Sequence, residues 1–123
     1  MMEGISEIAP GSNGLITLPY FAGERTPIND PCAQGMIFGL TLQHTKKHLY
    51  RSALESIGYS IAQHFSIFEE HNVEIHTIMA VCGGTKNPEW IQIVADITGK
   101  EIATAAVTIG ASFGDAMMAA MGI

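Results

Sequence analysis

The sequence predicts an α/β domain, and three observations carry that prediction. A long stretch of helical periodicity follows two short apolar, β-prone runs. A Gly-Gly turn joins a third apolar run to a helix with recognisable caps, and a fourth run returns directly after that helix. Strand–helix–strand of this kind implies a parallel pair joined by a right-handed crossover. With 123 residues the chain suits one domain, long enough to bury roughly two-thirds of its unfolded surface. No internal repeat is visible.

Each element has a local reason. Residues 1–14 are polar and Gly-rich and end in the turn cluster Pro-Gly-Ser-Asn-Gly. Leu15 to Leu18 reads as a short strand stopped by Pro19. Ala22 to Pro31 carries two prolines with Asn29 and Asp30, an ordered loop of the kind that often lines a site. Within it, Glu24 beside Arg25 reads first as an ion pair holding the loop and second as a substrate contact. Gly35 to Leu42 is apolar and predicts a second strand. Thr45 is placed to cap a helix running to about His71. Ala53, Ile57, Ile61 and Phe65 recur every four residues there, with Leu54 and Phe68 beside them, predicting one apolar face. Gly58 interrupts that helix at about 1 kcal/mol relative to Ala, so a close packing partner is expected opposite it.

The second half alternates. Ile75 to Cys82 predicts a strand, and Pro88 to Thr98 a helix with Asn87 as N-cap, Pro88 at the first position and Gly99 just past the end. Lys100 to Val107 predicts the next strand. Ser112, with Asp115 three residues on, resembles a capping box opening a last helix of small residues.

Composition excludes several function classes. Twelve acidic residues against six basic ones give a net charge of −6, which opposes binding to nucleic acid through its phosphates. Cys32 and Cys82 lack CxxC spacing, and a chain of this length folds without one disulfide, so two reduced thiols are expected. The start lacks a basic segment followed by an apolar run, and no apolar stretch reaches the roughly eighteen residues of a membrane span. A cytoplasmic protein with no membrane partner is the expectation. Charged residues make up 15%, below the roughly 25% of an average soluble domain, so disorder is excluded and an unusually apolar surface is implied.

The segment from Cys82 to Pro88, CGGTKNP, is the most informative local feature. Two glycines let the backbone approach a ligand, the following helix start offers free N–H groups, and Lys86 adds an ammonium at the rim. Ligands of open α/β sheets sit beyond the carboxyl ends of the strands, where this turn falls. The alternative is a Gly-rich strand–helix turn that binds nothing. The GxxxxGK[ST] spacing of a Walker A loop is absent. Cys82 reads as a buried strand-end thiol, Trp90 as core, and Gln92 with Asp96 as a helix-surface pair. His44 and His48 are four apart, a spacing that shares a metal only if both are helical, and without an HExxH or cysteine partner no metal is expected. His48 is expected to make hydrogen bonds near the helix start instead. No nucleophile triad is arguable from spacing.

Together these segments resemble the C-terminal domain of the FGGY family of carbohydrate kinases. Leu18 to Thr41, LPYFAGERTPINDPCAQGMIFGLT, is similar to the family's LPYL-GERTP--DP-ARG---GLT. Gly35 to Glu55 fits the family signature through its spaced glycines, His48-Leu49, and Ser52 to Glu55. Cys82 to Ile102 resembles GGGAKS--W-Q--AD--GK-V, and Gly110 to Gly122 resembles the closing GAA-GAA--A--G. Cys82 stands where the family has the first glycine of its triplet, and Asn87 where it has serine.

The resemblance implies an actin-like, RNase H-like ATPase fold, here a C-terminal half-domain with a mixed sheet and flanking helices. It also implies that residues 1–123 are one partial domain of a longer kinase, lacking the first strand or strands and the N-terminal domain. ATP with Mg²⁺ would phosphorylate a sugar hydroxyl, and the loop wording is nearest the branch acting on ketopentoses such as xylulose, with gluconate-type members sharing much of it. Gly83 and Gly84 would pack under the nucleotide, Asn87 would lie near the adenine, and Lys86 matches the motif's lysine. The catalytic base and the Mg²⁺ contacts would lie in the missing part, so no catalytic residue is nominated and the isolated chain is expected to be inactive. Only two strand candidates precede the long helix where three are usual, so a bare edge should favour self-association. A non-catalytic nucleotide-binding module of the same fold is the alternative.

Overall fold

The dominant element is set by its first turn. In the computed structural model, which describes residues 4–81, 83–105 and 111–122, Thr45 caps α1 (Lys46–Glu70) through a reciprocal capping box. The Thr45 hydroxyl accepts from the His48 backbone, and His48 Nδ1 accepts from the Thr45 N–H at 3.1 Å. His48 thus does the hydrogen bonding expected of it. Helix α1 ends at His71, whose N–H returns to the Ile67 carbonyl at 3.3 Å.

Two short sheets flank this helix. β1 (Ile16–Leu18) pairs antiparallel with β2 (Met36–Phe38), setting Ile16 opposite Phe38 and Leu18 opposite Met36. β3 (Thr77–Ala80) pairs parallel with β4 (Glu101–Thr104), Thr77 opposite Glu101 and Ala80 opposite Thr104, with α2 (Pro88–Thr98) in the crossover. The expected parallel pair forms, and where one mixed sheet was expected the described residues hold two separate two-stranded sheets, one antiparallel and one parallel. The strands are shorter than their apolar runs. Gly39, at φ +85°, turns the chain out of the ladder just past β2. The expected strand ends at Cys82 and at Val107 lie outside the described residues. The last helix, α3 (Ala111–Met121), begins at Ala111, so Ser112 stands inside its first turn and not at its cap. Among the described residues no helix is long and apolar enough to cross a membrane.

The burial of α1 departs from its hydrophobic pattern. Its most buried residues are His48, Arg51, Ser52, Glu55, Ser56 and Gly58, whereas Ile57 is 40% exposed and Phe68 45%. The polar face wins because its groups satisfy one another. Glu55, 3% exposed, accepts from Ser12 Oγ at 2.8 Å, from the Gly11 N–H at 3.0 Å and from Arg51 Nε at 2.7 Å. Arg51 Nη1 reaches the Ile5 carbonyl at 3.3 Å, and Ser52 Oγ meets Thr17 Oγ1 at 2.8 Å. These bonds tie residues 5–17 to the helix and seat Ile5 and Leu15 in the core. At the rim, Lys47 binds Glu7 at 2.8 Å, and that hydrogen bond with its charge attraction holds the Glu7 carboxyl below the usual carboxylate range.

On its other side α1 packs against α2, whose Ile93 and Val94 complete the buried apolar set. Gly58 is the close approach: a Cβ there would lie 2.7 Å from Ile97 Cδ1. The packing partner expected from the sequence is therefore present.

Two stability outcomes follow from this arrangement. Glu55→Ala leaves a buried guanidinium without its carboxylate and should cost about 3–5 kcal/mol, measured by urea unfolding followed by circular dichroism. An unchanged midpoint would remove the carboxylate from that role. Gly58→Ala should be close to neutral, since improved helix propensity offsets a small shift of the flexible Ile97 tip. Gly58→Val should lose about 1–3 kcal/mol by overpacking in the same assay.

Candidate functional site

Within the CGGTKNP segment, Gly83–Lys86 form a tight 3-10 turn between β3 and α2. The Asn87 N–H donates to the Gly84 carbonyl at 3.1 Å and closes the turn. Asn87 then opens α2 as its N-cap, with Oδ1 accepting from the Trp90 N–H at 3.2 Å. Pro88 fills the first helical position, and Gly99 ends the helix left-handed at φ 64° with its N–H on the Ala95 carbonyl. All three caps stand where the sequence put them.

The two glycines do different work. Gly83 is exposed, and a Cβ added to it would meet nothing within 4 Å among the described residues. Gly84 is half-buried under the indole of Trp90, where an added Cβ would overlap Cζ3. The second glycine is therefore required by internal packing, and the first is the open position at which a ligand can approach the backbone. Lys86 is exposed beside it and Asn87 half-buried, so Gly83, Gly84, Lys86 and Asn87 form one continuous feature at the start of α2. Cys82 lies outside the described residues.

Other sequence-derived candidates fall elsewhere. Trp90 packs into the turn as expected of a core residue, although its buried Nε1 has no partner among the described residues. Gln92 Nε2 donates to Asp96 Oδ1 at 2.7 Å on the exposed face of α2, the surface pair anticipated. His44 precedes the helix, and its Nδ1 accepts from the Thr41 N–H at 2.9 Å. His44 and His48 meet edge-on at 5.3 Å, with their ring nitrogens engaged by Thr41, Thr45 and Asn13. Among the described residues no group of three or more His, Cys, Asp or Glu is arranged around a metal position.

The Glu24–Arg25 reading requires correction. No ion pair joins these neighbours among the described residues. The loop is held instead by backbone hydrogen bonds between Glu24 and Asp30, at 2.7 and 2.8 Å, while each carboxylate caps a nearby N–H. Glu24 Oε1 accepts from Thr26 at 2.9 Å and Asp30 Oδ1 from Cys32 at 2.8 Å. Local backbone donors take up these carboxylates in place of a neighbouring side chain.

One concave feature next to the turn was not legible in the sequence. A cleft of about 530 Å³ opens beside the α2 N-terminus, between Pro88, Glu89 and Gln92 on one wall and residues 5–10 with Arg51 on the other. Its walls are far apart in the chain, so no local pattern could have signalled it.

Comparison with known proteins gives this geometry a context. The family model for the C-terminal domain of FGGY carbohydrate kinases matches residues 2–123. A xylulose kinase of Staphylococcus xylosus is 39% identical over 121 residues, covering 98% of this chain and 25% of that protein. The crystal structure of a xylulose kinase from Rhodospirillum rubrum superposes with a TM-score of 0.80 at 33% identity, over 96% of this chain and 23% of that one. A Plasmodium falciparum glycerol kinase crystallised with ADP gives a TM-score of 0.79 at 26% identity, over 93% and 23%. The chain thus spans about a quarter of the length of the curated relatives it matches.

The division between the glycines is testable by stability alone. Gly84→Ala should cost about 1–3 kcal/mol because the indole must move, whereas Gly83→Ala should stay within about 0.5 kcal/mol of wild type. Denaturant unfolding of both variants checks this, and equal losses would contradict the packing of Trp90 on Gly84.

Proposed function

The chain belongs to the FGGY family of carbohydrate kinases, in the family's C-terminal domain, and from this we propose that it supplies the adenosine side of the ATP site in an ATP-dependent sugar kinase. The observation that carries the reading is Gly83, an open glycine at the start of the turn that leads into a capped helix.

The residues of the turn fit such a ligand. Without a side chain at Gly83, a flat base and its ribose can lie against the backbone. The N-terminus of α2 carries partial positive charge, although Pro88 brings no N–H and Asn87 takes that of Trp90, and the exposed Lys86 ammonium adds a mobile cation for phosphate oxygens. Asn87 commits Oδ1 to the Trp90 N–H, which leaves its Nδ2 amide as the part able to donate to a base edge. Bound ATP with Mg²⁺ supplies the γ-phosphoryl group and the counter-charge for its transfer to a sugar hydroxyl. The present residues bind and orient; the carboxylate that accepts the hydroxyl proton belongs to the N-terminal part of the whole kinase.

A ketopentose such as xylulose is the proposed acceptor. The GERTP loop wording supports this, as do the xylulose kinases among the relatives. Residues 1–123 act as one partial domain whose partner is the rest of the kinase chain. The accessible surface of 8452 Å² supports that partnership, being about a third more than the roughly 6,400 Å² expected of a folded monomer of its mass. Much of the excess is apolar: Ile37, Phe38 and Leu40 on and after β2 are 46%, 64% and 59% exposed. Without that partner the chain should self-associate. A cytoplasmic location belongs to the same proposal, and ATP as the phosphoryl donor supports it.

In the whole kinase, Gly83→Val should raise the KM for ATP at least tenfold while leaving the KM for sugar nearly unchanged. The 123-residue chain alone should bind ATP weakly by calorimetry and transfer no phosphoryl group to xylulose. An unaltered ATP KM in the variant, or turnover by the pure chain, would overturn the assignment.

A further inference from the structure

We draw no further inference here: the strongest candidate, the exposed apolar surface patch on and after β2 formed by Ile37, Phe38 and Leu40, belongs to the partnership with the rest of the kinase chain already proposed, and nothing in the structure shows what else covers it.

Discussion

One buried carboxylate organises the first half of this domain. Glu55 is acceptor-only when ionised, and taking it out of water is tolerable only because donors from two parts of the chain converge on it. Arg51 approaches from one helical turn away, and Gly11 and Ser12 from a segment more than forty residues earlier. That convergence fixes where residues 5–14 lie, and the Thr17–Ser52 hydroxyl pair then sets β1 against α1. With β1 placed, its register with β2 follows. The constraint is asymmetric in energy: the complete network contributes modestly, whereas removing one member strands the others in a low-dielectric site.

This explains why the helix was legible and its buried face was not. Caps are local, and Thr45, Asn87, Pro88 and Gly99 stand where short-range chemistry puts them. The period-four row of Ala53, Ile57, Ile61 and Phe65 also predicts a helix correctly, since any regular apolar row does. Which face turns inward is a long-range matter. Ser12 and Gly11 decide it by bonding to Glu55, and they leave Ile57 and Phe68 substantially exposed. For the same reason the loop after β1 was misassigned to a side-chain ion pair, when backbone pairing of Glu24 with Asp30 holds it.

The candidate site was legible in kind but not in its division of labour. Two adjacent glycines between a strand and a capped helix signal a backbone turned sharply for a reason. Nothing in the pair itself distinguishes a glycine needed for a ligand from one needed for a neighbour. Trp90 makes that distinction from six residues away, occupying the space over Gly84 and leaving Gly83 bare.

The consequence is a turn that is rigid behind and open in front. Gly84 cannot move inward without meeting the indole, the Asn87 side chain fixes the first turn of α2, and the Gly84 carbonyl is held by the Asn87 N–H. A ligand at Gly83 would therefore meet a preformed backbone and would not have to order a loop, which lowers the entropic cost of binding. Such preorganisation is useful only if the opposite wall of the site is supplied from elsewhere, since one open turn buries little of a nucleotide. The exposed apolar residues around β2 point the same way: a surface with that much uncovered hydrophobic area is one that gains free energy when another body closes over it.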